Sequence, residues 1–320
     1  MKKLLIANRG EIALRILRAA HDLGIATVAI HSRDDRDSPH LSLADECVEL
    51  DALGPQAYLD LEAVVAAGLR SGCDAVHPGY GFLSERADFA RACARAGLVF
   101  VGPTPEQLDL FGDKASALAM ARRCGVPVMP ATRGGATLQE IEAFFEAHED
   151  GIVIKAVGGG GGRGMRVVRA REALAEAYAR CTSEARSAFG VEAVYGERLI
   201  ARARHIEIQI VGDGDEVLSL GERDCTVQRR FQKLVEIAPS PALAPALRER
   251  IEQAALTMAR EAGYRSLGTF EFLVDEDLVD AQRVEAQSDR ADPPELAASP
   301  FVFIEANPRL QVEHTVTEEI

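Results

Sequence analysis

Apolar and polar positions along the chain change period several times. Residues 3–7 (KLLIA) form a continuous apolar run, Ile12, Ile16, Ala20 and Leu23 then recur at helical spacing up to Gly24, and ATVAI at 26–30 is apolar again. That order predicts strand, helix and parallel strand. It continues with CDAVHPG at 73–79, an alanine-rich helix after Ser84 that ends at Gly97, and LVFVG at 98–102. The first hundred residues therefore predict a doubly wound α/β domain. Its first turn, Asn8-Arg9-Gly10-Glu11, lacks the GxGxxG that close approach to a dinucleotide requires, which turns the reading away from a redox fold.

From Gly112 the texture changes. A helical stretch around DKASALAMARR leads through VPVMPATRGG and a further helix to GIVIK and a glycine run. Residues 204–211 alternate, with Arg204, Ile206, Ile208 and Ile210 against His205, Glu207, Gln209 and Val211, which predicts a half-buried strand with one polar face. Strands at about 216–220, 233–237, 268–274 and 301–306 and a helix at about 245–262 complete an α+β pattern with an antiparallel sheet. Between two of these strands, residues 276–300 hold seven acids, two arginines and three prolines, the composition of an exposed, mobile insertion. The final residues, 316–320, lack a cap or polar tail and read as a cut.

Composition narrows the class. At 320 residues the chain exceeds the ~250–300 residues at which single cores stop growing, so two or three domains are expected. The 36 Lys and Arg against 50 Asp and Glu give a net charge of −14, which repels polyanions and speaks against nucleic-acid binding. The six cysteines form no CxxC pair, which suits a reducing cytoplasm, and no apolar run approaches the ~20 residues of a membrane span.

Three segments carry candidate chemistry. In KAVGGGGGRGM at 155–165, glycines hold six of the seven positions 158–164, which implies backbone that approaches something closely or moves. No Gly-Lys-Ser/Thr follows, so it is not a Walker A loop. Lys155 precedes it at the end of an apolar strand, and a glycine hairpin beside a lysine predicts a lid over phosphates. Glu271 in TFEFLV, and Glu305 and Asn307 in FVFIEANP, put carboxylates among phenylalanines. Side by side, two such strands converge hard oxygen ligands suited to magnesium, whereas either glutamate alone is as compatible with a solvated polar face. ERDCTVQRRFQK at 222–233 concentrates Arg223, Arg229, Arg230 and Lys233 in an acidic protein, a locus for anions, with salt bridges accounting for one or two of the arginines. On an extended strand Arg309, Gln311 and Glu313 share a face, which would set a base beside an anion clamp.

Together HPGYGFLSE at 77–85, KAVGGGGGRGM, ERDCTVQRRFQK, GTFEFL at 268–273 and EANPRLQVEHTVTE at 305–318 resemble the biotin carboxylase family of ATP-grasp enzymes, over a span from residue 6 to the last residue interrupted by the acidic insertion. The resemblance implies an N-terminal biotin carboxylase α/β domain at 1–112 and an ATP-grasp domain at 113–320 with a small mobile lid at about 130–203, the family's C-terminal domain being absent. It implies carboxylation of biotin on a carrier protein with bicarbonate and ATP, through carboxyphosphate, with Mg2+ or Mn2+ as cofactor. Matching residues take roles by resemblance. Lys114, Lys155, Gly161 and Gly162 contact phosphates, Glu197, Arg198, Leu199 and Ile200 form the adenine hinge, and His205 and Gln228 are further nucleotide contacts. Glu271, Glu305 and Asn307 hold the metal. Lys233, Arg309, Gln311 and Val312 form the bicarbonate pocket, Glu313 is the base, and Tyr80 faces biotin.

Partners implied are a biotin carboxyl carrier, a carboxyltransferase and a further copy in a homo-oligomer. One position departs from the family: Phe231 stands where many members have histidine, and with the insertion it points to a multidomain acyl-CoA or pyruvate-type carboxylase. The alternatives are a carbamoyl-phosphate-synthetase-like enzyme, against which HPGYGFLSE speaks, and a noncatalytic nucleotide-binding remnant.

Overall fold

The computed structural model describes residues 1–148, 150–157, 164–190, 192–230, 232–286 and 299–320. Phe231, Gly161 and Gly162 lie outside them, as do residues 287–298 of the insertion.

The N-terminal strands β1 (Lys3–Ile6), β2 (Ala26–His31), β3 (Glu46–Glu49), β4 (Ala75–His77) and β5 (Val99–Phe100) form a parallel sheet in the order β3-β2-β1-β4-β5. Helices α1 (Gly10–Asp22), α2 (Leu61–Arg70) and α3 (Ala87–Arg95) cross over between them. Alternate residues of β1 feed two separate cores: Leu5 packs with Val28, Ile30, Val76 and Phe89, while Leu4 and Ile6 pack with Ile12, Ile16 and Leu17 of α1. Both faces are therefore covered, as a doubly wound sheet requires. LVFVG contributes only two strand residues, because Gly102 and Pro103 end the pairing.

Helices α4 (Pro105–Gly112) and α5 (Lys114–Arg123) follow, and the Asp113 carboxylate caps α5 by accepting from the Ser116 amide at 2.9 Å. Next, α6 (Leu138–Glu146) and α7 (Leu174–Phe189) cover a small sheet of β6 (Ile152–Ala156), β7 (Met165–Val168) and β8 (Val194–Arg198), ordered β7-β6-β8. This unit has its own core around Ile141, Ile152, Ile154 and Leu174. The antiparallel pairing of β6 with β7 is the hairpin expected around the glycine run.

The largest sheet is antiparallel, ordered β11-β10-β9-β12-β13, from β9 (Ala203–Asp213), β10 (Val217–Arg229), β11 (Gln232–Ile237), β12 (Arg265–Asp275) and β13 (Phe301–Asn307). Ile206, Ile208, Ile210, Phe270 and Phe272 pack on α5 and α8 (Pro245–Glu261). The opposite face departs from expectation. The polar side of β9 is not solvated: Glu207 is 0% and Gln209 4% exposed, and Arg223, Thr269 and Glu271 are buried beside them. The acidic insertion also opens as helix α9 (Glu276–Ala286), held by Arg204 Nε to Glu276 Oε1 at 2.8 Å and Arg202 Nη1 to Asp277 Oδ1 at 2.7 Å, so its first eleven residues are ordered structure and not a loop.

Candidate active site

Sheet register builds the site. Arg223 pairs with Glu207, Glu207 with Glu271 and Glu271 with Glu305, so one row of charged residues crosses four strands on the face turned away from the isoleucine core. The next row is Gln209, Thr269 and Asn307. A buried charge needs partners, and here the partners are each other. The wholly buried Arg223 donates through Nε to Glu207, through Nη1 to Gln209 Oε1 at 3.0 Å and through Nη2 to Thr269 Oγ1 at 3.3 Å.

Lys233 is the hub. Its Nζ lies 2.5 Å from Glu207 Oε2, 2.7 Å from Glu313 Oε1 and 3.3 Å from Glu271 Oε1. Burial alone would lower the pKa of its ammonium, but Glu271 and Glu207 outweigh burial and hold it above the ordinary lysine value. Glu313 shows the converse. Burial would raise it, and Lys233 takes it below the usual carboxylate value, so it stands ionised. Glu271 is likewise opposed by burial, yet the hydrogen bond from His205 and the charge of Lys233 bring it down to about 2. Gln228 Nε2 donates to His205 Nδ1 at 2.8 Å, which leaves Nε2 to donate to Glu271 Oε2 at 2.6 Å.

Beside this row a cavity of about 840 Å3 opens between the small sheet and the large one. Of the residues singled out in the sequence, Lys114, Lys155, Glu197, Arg198, Leu199, Ile200, His205, Gln228 and Glu305 line it. The cap on α5 sets Lys114 in the first helical turn, and Lys155, on β6, is paired with Glu197 of β8. Apolar walls that the sequence reading missed come from Met129, Met165, Tyr195, Leu273 and Phe303. They are the signal of a flat ring site, invisible until five separate segments meet. A second cavity of about 260 Å3 adjoins at Lys114 and Glu305 and is lined also by Glu85 and Asn307.

The expected metal residues are aligned but not all drawn together. Asn307 Nδ2 donates to Glu271 Oε1 at 2.6 Å, while Glu305 projects into the cavity, open to water on one side and ringed by protein on the others. Burial, then the neighbouring Glu271 charge, raises the Glu305 carboxyl. Two carboxylates thus face one another across the register while Lys233 is bonded to only one of them, an excess of negative oxygen that fits a divalent cation. Among the described residues, the tight three-group clusters of possible ligands are His205–Glu207–Glu271 and Glu207–Cys225–Glu313, and neither holds Glu305. Both centre on Glu207, whose charge Arg223 and Lys233 already neutralise.

The expectation that Arg309, Gln311 and Glu313 lie on one strand is wrong. β13 ends at Asn307, Pro308 cannot extend the ladder, and Arg309 N turns back to Asn307 O at 2.8 Å. Glu313 instead begins the short helix α10 (His314–Glu318). The turn still gathers the three: Arg309 Nη1 donates to Gln311 Oε1 at 3.0 Å, and Glu313 reaches Lys233. Arg309 Nε lies 3.0 Å from Glu85 Oε1 but has no properly directed acceptor, and Gln311 Nε2 is also buried without one. Two orphaned donors on the turn that leads into Glu313 fit a small oxyanion. Val312 is 60% exposed, so only its backbone could serve. Tyr80 lies on a loop held by Asn8, whose Nδ2 donates to Pro78 O and Tyr80 O, both at 2.7 Å. At Gly79, with φ +62°, a Cβ would stand 2.9 Å from that same nitrogen.

Comparison with known proteins agrees with this geometry. Residues 1–108 match the family model described as biotin carboxylase, N-terminal domain, and residues 113–286 match carbamoyl-phosphate synthase L chain, ATP binding domain. The chain is 48% identical over 324 residues to pyruvate carboxylase of Bacillus subtilis, all of this chain aligning with 26% of that protein. It thus spans about a quarter of the length of such relatives. A crystal structure of a biotin carboxylase complex with β,γ-ATP from Campylobacter jejuni superposes with a TM-score of 0.87 at 40% identity, covering 100% of this chain and 68% of that one. The biotin carboxylase domain of Hydrogenobacter thermophilus 2-oxoglutarate carboxylase, in complex with MgADP, ADP and bicarbonate, gives 0.85 at 41%, covering 100% and 66%.

Proposed function

The chain belongs to the biotin carboxylase family, and on that premise we propose that it carboxylates biotin on a carrier domain or protein, using bicarbonate and ATP. The observation that carries this reading is the continuity of one polar surface. It runs from the cavity lined by Lys114, Lys155 and residues 197–200, past Glu271 and Glu305, to Lys233, Arg309, Gln311 and Glu313.

The cavity takes ATP, with the Glu197–Ile200 segment and the apolar walls around the adenine and the two lysines on the phosphates. Glu271, Glu305 and Asn307 would hold magnesium, which when bound neutralises phosphate charge. Bicarbonate binds to the orphaned Arg309 and Gln311 donors and to Lys233. Its oxygen bonds to the γ-phosphorus as the bond to ADP breaks, and the ionised Glu313 carboxylate accepts the bicarbonate proton, leaving carboxyphosphate and ADP. Tyr80 then meets biotin. Glu313→Gln keeps the shape without the basicity. It should lower bicarbonate-dependent ATP cleavage on the order of 10²–10⁴-fold with MgADP affinity retained, and a wild-type rate would remove Glu313 from the reaction.

We place the domain boundary at 112/113, supported by the separate cores of the two five-stranded sheets, with Phe111 of α4 reaching across it into the core of the larger one, and take residues 130–203 as the lid, supported by the independent core of the small sheet. A carboxyltransferase and a second copy of the chain are the further partners of this reading. No described helix is long and apolar enough to cross a membrane. A reducing, cytoplasmic setting is supported by six free cysteines.

A further inference from the structure

Helix α10 has five residues, too few to be stable on its own hydrogen bonds, and the residue it buries is polar, His314 at 3% exposure. Side chains of α10 reach two distant parts of the chain. His314 Nδ1 meets Glu318 Oε1 at 2.7 Å, and its Nε2 meets Glu11 Oε1, on α1, at 3.1 Å. Glu318 Oε2 accepts from Arg15 Nε, also on α1, at 3.1 Å. Thr317 Oγ1 accepts from the buried Arg223 at 2.7 Å. The ring thus meets two carboxylates some 300 residues apart in sequence, one at each nitrogen. The second oxygen of Glu11 accepts from Tyr80 Oη at 2.9 Å.

Glu313 is joined to His314 by a peptide bond, and its carboxylate rests on Lys233. With the strand ended at Asn307, no ladder fixes the segment that carries Arg309, Gln311 and Glu313. Resting on the bicarbonate reading above, we propose that His314 is a positioning residue. It clasps α10 to α1 and so holds Glu313 and Arg309 in the bicarbonate pocket, while Glu11 ties Tyr80 to the same clasp. The N-terminal sheet is then a support for the proton acceptor as well as a wall of the cleft.

The test uses His314→Gln, in which one amide nitrogen stands in for two ring nitrogens on opposite sides, and Glu11→Gln, which keeps the shape and loses the charge. Bicarbonate-dependent ATP cleavage is followed without biotin, so that Tyr80 does not contribute. Expected are a kcat roughly 10–100-fold lower in His314→Gln, MgADP affinity within about 2-fold of wild type by calorimetry, and a double variant no worse than His314→Gln alone. Hydrogen exchange at residues 309–318 should speed by about 10-fold or more in His314→Gln. A wild-type kcat in His314→Gln, with Glu313→Gln still impaired, overturns the proposal. So do additive losses in the double variant, or a fall in MgADP affinity matching the fall in kcat, which would make His314 a general fold residue. A wild-type rate in Glu313→Gln would sink the base reading instead. The exchange experiment then decides the clasp by itself, and unchanged exchange refutes it.

Discussion

The two five-stranded sheets each bury their central strands and fill that burial differently. In the parallel sheet, Leu4, Leu5, Ile6, Val28 and Ile30 send apolar side chains to both faces, and the ion pairs, such as Arg36–Glu49, sit at the rim. In the antiparallel sheet one face is the isoleucine and phenylalanine core, and the other carries Glu207, Arg223, Glu271 and Lys233 in mutual contact. The first arrangement tolerates loss of a partner as a cavity. The second converts it into an unpaired charge, which is the costlier fault but also the source of its chemistry.

Four variants break or sharpen this contrast. Arg223→Met should have the largest effect, about 3–5 kcal/mol less stability by urea unfolding, because Glu207 loses one of its two cations in a site without water access. Leu5→Ala in the parallel sheet should cost about 2–5 kcal/mol while leaving MgADP affinity of the folded fraction intact. If both variants weakened MgADP binding equally, the division of labour between the sheets would be wrong. Acid comes next. Glu271 has its folded pKa held below the ordinary 4.5 at about 2, so its contribution is present above pH 4.5 and lost as pH falls towards 2. Glu305, shifted upward, works against it. Glu271→Gln should therefore flatten the acid limb of thermal unfolding between about pH 4.5 and 2, and an unchanged limb would assign that limb elsewhere. The smallest effect belongs to Arg36→Gln, whose exposed pair with Glu49 is screened by water, and the unfolding midpoint should not move.

Legibility in the sequence follows the same division. Four strands of the parallel sheet were readable because apolar runs, Gly24 and Gly97 punctuate them locally, whereas the edge strand β3, with Glu46 and Glu49 at its ends, shows no such run. The glycine hairpin and Lys155 were readable for the same reason, whereas the Glu197–Ile200 segment was legible only through the family resemblance. What failed was long-range. Alternation in residues 204–211 cannot tell a solvated polar face from one covered by Lys233 and Arg223, which lie on other strands. Arg309, Gln311 and Glu313 show strand spacing, and only Pro308 signals the turn that ends β13. Arg223 and His314 were visible as letters, but their weight depends on Glu207, Thr317 and Glu11, distant in sequence.

Three cations of the cleft are already engaged: Lys155 with Glu197, Arg309 with Glu85, and Lys233 with Glu207, Glu271 and Glu313. Such a surface behaves as an ion exchanger and not as a sink. At these three an incoming anion must displace a resident carboxylate, so what counts there is its advantage over that carboxylate and not its charge alone. Chloride, with one unshaped charge, gains little by the exchange, whereas a planar oxyanion able to occupy the free Gln311 amide and the misdirected Arg309 Nε–H at once gains two directed hydrogen bonds.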